Sequence, residues 1–338
     1  MQQYQLKTAV IGIGKMGEMH ARIYSELAQS KLIAVVDTNL EKAKVAAEKF
    51  DCRAYSDYKH ILDEVDVVTI STPTNTHYQI GSAFISRNTP VLIEKPLATN
   101  VREGRKIVNL AKRNNTILAV GHSERCNPVV QAMERLEIEP RFIEAIRVSP
   151  YPFRSGDIGV VLDVMIHDID IILSLIHSPI KKIDAIGVNV IDKKEDICNA
   201  RIYFENGCIA SLTASRLAFR TDRKIRVFSQ KAYMSVDFFK KTGIVIKADP
   251  NIDVLKWIRE KKDDRDFNPL TVEWQKLLKI EELQVDDTEP LRLEQESFLT
   301  AVIGQKAKPQ VTGEEGLAAL ECAEKIIKLI QKNKWFHE

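Results

Sequence analysis

At 338 residues the chain is long enough for two domains, because single cores stop growing at about 250–300 residues. Its 49 basic and 47 acidic residues nearly cancel to a net charge of +2, and the basic clusters Lys181-Lys182 and Lys240-Lys241 are short, which argues against a nucleic-acid or membrane-seeking surface. No apolar run approaches the ~20 residues of a membrane span, and the opening MQQYQLK does not read as a signal peptide.

The first strong signal lies at residues 6–27. An apolar, β-branched run over 6–13 has the composition of a strand buried on both faces, and it runs into Gly12-Ile13-Gly14-Lys15-Met16-Gly17 before a helical pattern. In that setting G-x-G-x-x-G reads as a dinucleotide turn. Gly12 allows the tight turn, Gly14 admits a pyrophosphate, and Gly17 lets the helix pack close to the strand. A second strand over 32–36 ends on Asp37, at the spacing of about 20 residues where a carboxylate meets the adenosine ribose. An acid there repels a 2′-phosphate, so NAD is expected in preference to NADP, although Thr38 and Asn39 offer phosphate contacts if Asp37 turns away.

A helix is predicted over 40–50, a strand over 66–71, a loop Ser71-Thr72-Pro73-Thr74-Asn75-Thr76-His77, and a helix to residue 87. A strand over 90–94 then ends in Glu94-Lys95-Pro96, followed by a helix over 102–114 and a strand over 117–121. Alternation of this kind predicts βαβ units and a parallel sheet.

Past Pro128 the pattern changes to a short helix and half-exposed strands at 142–149, 183–191 and 197–204. Cys198, Ala200, Ile202 and Phe204 share one face of the last of these. Asn206-Gly207 supplies a type I′ hairpin signal, and strands at 225–229, 233–238 and 243–247 complete an open, mainly antiparallel sheet. A helix begins near Val164. Another opens on Thr312-Gly313-Glu314-Glu315, a capping box, and is expected to return to the first domain. One sheet face is left without a helix, which predicts a homo-oligomer, dimer or tetramer, packed sheet to sheet. Residues 249–289 read as a long loop in which Trp257 and Trp274 are anchors or pocket walls. The five cysteines are scattered and lack C-x-x-C spacing, so no metal site or disulfide framework is expected, and the chain reads as cytoplasmic. Cys198 and Cys208 flank the hairpin and can face each other as a reduced pair.

Three stretches carry chemistry. Lys95 follows a strand end and is fixed by Pro96, so it is presented to the ligand crevice of an open α/β sheet. Asp163 and His167, four apart, share a face if the segment is α-helical, and an acid can hold an imidazole in one tautomer. Residues 121–128, GHSERCNP, have a polar density that suits substrate contact or a hinge.

These motifs in this order resemble the Gfo/Idh/MocA family of NAD(P)-dependent sugar and polyol oxidoreductases over nearly the whole chain. The resemblance implies a Rossmann domain over 1–125, an α+β substrate and oligomerisation domain over 126–310, and a helix over 311–338 packed back on the first. It implies that Lys95, Asp163 and His167 form the catalytic group. The cofactor contacts it implies are Gly12, Gly14, Lys15, Met16, Gly17, Asp37, Thr72, Pro73, Asn75, His77, Glu94 and Lys95. GHSERCNP, the stretch around Asp163 and the later EWQKLLKIEEL are similar to the branch containing UDP-N-acetylglucosamine 3-dehydrogenases. Cys126 stands where that branch usually has phenylalanine, and the Arg216 region and Ser229-Gln230-Lys231 also depart from its pattern.

The expected activity is oxidation of the 3-hydroxyl of a nucleotide-linked hexosamine to a ketone. Arg125, Asn127 and Arg154 are candidates to hold the sugar or diphosphate beside Lys95, Asp163 and His167, and each is equally readable as a salt-bridge or structural residue. The alternatives are a dehydrogenase of a free polyol such as an inositol, and a non-catalytic NAD-sensing regulator.

Overall fold

The computed structural model describes residues 5–136, 138–151, 158–191, 193–230, 232–248, 259, 261, 278–304 and 308–333. Arg154, Trp257 and Trp274 lie outside the described residues. The chain divides into two compact units. The first draws on Met1–Asn127, Val161–Leu173 and Thr288–Lys328, and the second on Pro128–Val160, Ser174–Asp287 and Leu329–Glu338.

In the first unit β1 (Leu6–Ile11), β2 (Ser30–Val36), β3 (Arg53–Tyr55), β4 (Val67–Ile70), β5 (Val91–Glu94) and β6 (Leu118–Gly121) form one sheet in the order β3-β2-β1-β4-β5-β6. Every neighbouring pair is parallel. The strands are apolar on both sides because each face is covered, and adjacent Val10 and Ile11 enter separate buried clusters. α1 (Lys15–Glu26), α2 (Leu40–Phe50), α3 (Thr74–Ile85) and α4 (Val101–Arg113) make the connections. Asn39 caps α2 through the Lys42 N–H and Asn100 caps α4 through the Glu103 N–H. The strand order reverses between β1 and β4, the switch point at which a ligand crevice opens beyond the carboxyl ends of the strands.

The short edge strand β3 was not predicted. Its three residues, Arg-Ala-Tyr, are partly exposed and carry no apolar run, and among the described strands it pairs only with β2.

The second unit begins with α5 (Pro128–Glu134) and contains an eight-stranded sheet. Its strands are β7 (Phe142–Val148), β8 (Ile180–Val188), β9 (Ile197–Phe204), β10 (Ile209–Ser215), β11 (Asp222–Phe228), β12 (Ala232–Asp237), β13 (Thr242–Ala248) and β14 (Leu278–Glu282). They lie in the order β14-β13-β12-β11-β7-β10-β9-β8, and among the described strands only β7 and β10 pair in parallel. Cys198, Ala200, Ile202, Phe204, Ala210, Leu212, Ile225 and Val227 are buried on one face. The opposite face carries Phe142, Phe228 and Tyr233 in contact, with Phe228 37 % exposed.

Two details differ from expectation. The β9–β10 hairpin turns through three residues rather than as a two-residue type I′ loop: the Gly207 N–H bonds Phe204 O at 3.1 Å and the Phe204 N–H bonds Cys208 O at 2.9 Å. Gly207 has φ +85° while Asn206 stays outside the left-handed region that type I′ requires of both residues. That loop also sets the register, placing Cys198 opposite Ala214, so Cys198 and Cys208 are separate buried thiols.

α6 (Ile166–Leu175) is preceded by a π turn, Val161–Met165, so Asp163 does not sit on the regular α-helix that the sequence predicts. α7 (Pro290–Gly304) and α8 (Gly313–Gln331) follow. At the start of α8 the Glu315 N–H bonds Thr312 Oγ1 at 3.3 Å and Glu315 Oε2 accepts the Thr312 N–H at 2.8 Å, the reciprocal pair of a capping box. Arg105 pairs with Glu321, and the Val101 N–H bonds Glu324, which fastens this helix to α4. No described helix is long and apolar enough to cross a membrane.

Candidate active site

The glycine turn is built by lack of space. Gly12 has φ +88°, and a Cβ there would lie 2.4 Å from the Ser71 carbonyl oxygen. A Cβ on Gly17 would lie 1.8 Å from the Gly12 carbonyl oxygen, so α1 reaches the strand end only without a side chain at that position. At Gly14, by contrast, a Cβ would meet nothing within 4 Å, which leaves open space where a pyrophosphate must approach the main chain. Lys15 and Met16 open α1 beside it.

Asp37 closes the other side of the turn. Its Oδ2 accepts the Ile13 N–H at 2.9 Å and its Oδ1 accepts the Asn39 N–H at 2.9 Å. Each carboxylate oxygen keeps further acceptor capacity for ribose hydroxyls. These residues therefore fit an adenine dinucleotide on chemical and steric grounds.

The loop after β4 is braced to the loop after β5. His77, buried in α3, has Nε2 2.8 Å from Thr72 O and Nδ1 3.0 Å from Pro96 O. Burial pushes its pKa down, against the two carbonyl contacts. Thr72 Oγ1 lies 2.7 Å from Thr76 Oγ1, Pro73 is the residue before α3, and Asn75 is exposed on its first turn. The brace ties Pro96, the residue after Lys95, to the loop after β4.

Glu94-Lys95-Pro96 leaves the carboxyl end of β5 with a cis Lys95–Pro96 peptide. Lys95 Nζ donates to the Asp163 main-chain oxygen at 2.6 Å and to its Oδ1 at 3.2 Å, with 18 % of the lysine side chain exposed. The π turn thus presents both a carbonyl and a carboxylate of one residue to one ammonium. His167, in the first turn of α6, meets His122 edge to face with ring centroids 6.2 Å apart. His122 is fully buried; burial pushes its pKa down, the Asp170 charge opposes this, and the Arg125 and Lys95 charges add to the lowering.

Under Lys95 the Glu94 carboxylate accepts from His20 Nε2 at 2.8 Å and from the Lys95 N–H at 3.2 Å. Burial pushes this carboxyl up, but the His20 hydrogen bond and the His20 and Lys95 charges outweigh it and leave it below the usual range.

The chain is 37 % identical over 238 residues, 70 % of this chain and 75 % of the relative, to a UDP-N-acetylglucosamine 3-dehydrogenase of Acidithiobacillus ferrooxidans. The chain belongs to the Gfo/Idh/MocA oxidoreductase family. Two family models match it: "Oxidoreductase family, NAD-binding Rossmann fold" over residues 6–122, and "GFO/IDH/MocA C-terminal domain" over 146–235. A solved structure of the Acidithiobacillus enzyme aligns with TM-score 0.87 at 30 % identity, covering 99 % of each chain. A myo-inositol 2-dehydrogenase of Thermotoga maritima is 26 % identical over 71 % of this chain and 78 % of its own.

Within this Gfo/Idh/MocA chain the structure brings Lys95 and Asp163 into contact and sets His167 against His122. It does not bring Arg125 to a ligand-facing position. Arg125 is 4 % exposed and its guanidinium binds Asp170 through Nε at 3.0 Å and Nη2 at 2.8 Å. Asn127 is likewise buried and bonds Glu124. His20, Asp170 and Glu294, which surround Glu94 and Arg125, were missed by sequence reasoning. His20 carries a signal in retrospect: it lies three residues past Gly17, on the face of α1 that returns to the sheet.

Proposed function

We propose that this chain oxidises the 3-hydroxyl of UDP-N-acetylglucosamine, or of a closely similar nucleotide-linked hexosamine, to the ketone with NAD. The observation that carries the chemistry is the Lys95 ammonium held against Asp163 at the carboxyl end of β5. The 37 % identical relative supports the substrate.

NAD, when bound, supplies the hydride acceptor. Lys95 donates a hydrogen bond to the reacting hydroxyl oxygen and stabilises the alkoxide that develops as its proton leaves. Asp163 aims Lys95 and keeps its charge partly balanced. His167 takes the proton, as an imidazole is suited to do near neutral pH. Asp37 favours NAD over NADP because a 2′-phosphate beside it would meet a carboxylate already fixed by two N–H groups.

The aromatic face of the second sheet, where Phe228 is 37 % exposed among the described residues, supports a homo-oligomer formed through that face. A second reading, oxidation of a free inositol, is favoured by the Thermotoga maritima relative.

The test is NADH formation by the purified protein with UDP-N-acetylglucosamine, free N-acetylglucosamine and myo-inositol in parallel. Turnover of the nucleotide sugar alone supports the proposal. Turnover of myo-inositol alone replaces it with the second reading.

A further inference from the structure

A group of titratable side chains behind Lys95 has no part in the mechanism above. His20 on α1, Glu94 at the end of β5 and Glu294 on α7 each bring one nitrogen or oxygen to within 4.8 Å of the others. Glu94 is the well-served member, with His20 and the Lys95 N–H as donors. Glu294 is 4 % exposed, and neither of its oxygens has a hydrogen-bond partner among the described residues. The next side chain, Gln295, donates to the His20 carbonyl at 3.2 Å and makes no bond to Glu294.

The charged groups that face Glu294 are Glu94 from β5 and Asp170 from α6, with His20 of α1 alongside. Asp170 is paired with Arg125 from the turn after β6, and the Glu94 carboxylate already accepts from His20 Nε2 and the Lys95 N–H. No described cation is bonded to Glu294. Two buried carboxyl groups at this separation do not both ionise, and the proton goes to the one without donors.

We propose that Glu294 is a neutral carboxylic acid in the folded protein and a positioning residue for Lys95, its O–H directed at Glu94 so that the Glu94 carboxylate stays locked between His20 and the Lys95 main chain. Burial, reinforced by the Glu94 and Asp170 charges, pushes the Glu294 carboxyl well above its usual range. The positioning role rests on the reading of Lys95 given above, whereas the protonation of Glu294 stands without it. A divalent cation is the competing occupant of such a triad. Against it, a metal-bound histidine donates its second ring N–H to an acceptor, and His20 Nδ1 has no partner among the described residues.

The experiment compares wild type with Glu294→Gln and Glu294→Leu in the full chain, reading melting temperature against pH and steady-state kinetics. A carboxyl whose folded pKa is raised contributes stability that is present below its unfolded pKa and lost as pH rises through the folded value. Glutamine keeps a neutral donor at every pH. The melting temperature of Glu294→Gln relative to wild type should therefore rise steadily with pH above the ordinary carboxyl range, while its kcat stays near the wild-type value at neutral pH. Glu294→Leu removes the donor, and kcat should fall roughly tenfold with the KM for NAD unchanged, since a misplacement of ~1 Å at a catalytic group costs up to about 10²-fold.

A melting-temperature difference that does not change with pH, or that turns against the glutamine variant as pH rises, overturns the protonated acid. Wild-type kcat in Glu294→Leu overturns the positioning role. A melting temperature raised by Zn²⁺ or Mn²⁺ in wild type but not in Glu294→Gln overturns both in favour of a cation site. If Lys95→Ala leaves turnover intact, the Lys95 reading fails while the melting comparison still decides the proton.

Discussion

Lys95 donates to Asp163 twice, at 2.6 Å to the main-chain oxygen and at 3.2 Å to the carboxylate. The first bond depends on the path of the π turn and the second on the side chain, so the ammonium is aimed by backbone geometry as well as by charge. A π turn inside a helix is uncommon and often marks a functional site, which agrees with its use here to turn a carbonyl toward a lysine.

The glycine turn tolerates no side chain at Gly17, where a Cβ would sit 1.8 Å from a backbone oxygen. Gly17→Ala must displace α1 or the turn. Calorimetric titration with NAD should show binding weakened at least tenfold, a loss of about 1.4 kcal/mol, with the melting temperature also lowered.

Asp37 is held by the Ile13 and Asn39 N–H groups. Asp37→Ser should weaken NAD and strengthen NADP, because the charge that repels a 2′-phosphate is gone and a donor is added. The ratio of kcat/KM for the two cofactors, measured with the same sugar, should move toward NADP.

Arg125 and Asp170 form a buried pair with side chains 5 % and 1 % exposed. Arg125→Met strands Asp170 in the interior and should cost about 3–5 kcal/mol in denaturant unfolding. The double variant Arg125→Met, Asp170→Leu should recover part of that loss, since the buried charge is removed and Glu315, a further partner of Arg125, is 42 % exposed to solvent.

Glu94 supplies the acid-side pH dependence. Its folded pKa lies below the usual value, so it contributes stability that is present above the unfolded pKa and lost as pH falls through the folded one. Glu94→Gln lacks that contribution. Melting curves of the variant and wild type should differ at neutral pH and converge on acidification.

The parallel sheet was legible because its strands are apolar on both faces and end in glycine, acid or proline turns, as at Gly12, Asp37 and Pro96. The capping box at Thr312 and Glu315 was legible because capping is local chemistry. β3 was not, since three half-exposed residues at a sheet edge leave no periodic trace. The hairpin was placed but its loop was not, because Asn-Gly also suits a longer turn with glycine in the left-handed position. Within the site, the meeting of Lys95 with Asp163 depended on a π turn whose sequence, Val-Leu-Asp-Val-Met, reads as ordinary helix. Arg125 looked available for a phosphate because nothing in the sequence around it announces Asp170, 45 residues on. Glu294 is farther still from Glu94 along the chain, and long-range pairing of that kind leaves no local signal.

The most direct measurement is NADH formation from UDP-N-acetylglucosamine by wild type and Lys95→Ala, with NAD affinity titrated in the same preparations. The account predicts that wild type turns over, that the variant loses at least about 10²-fold in kcat, and that both bind NAD equally. Undiminished turnover in Lys95→Ala would contradict it.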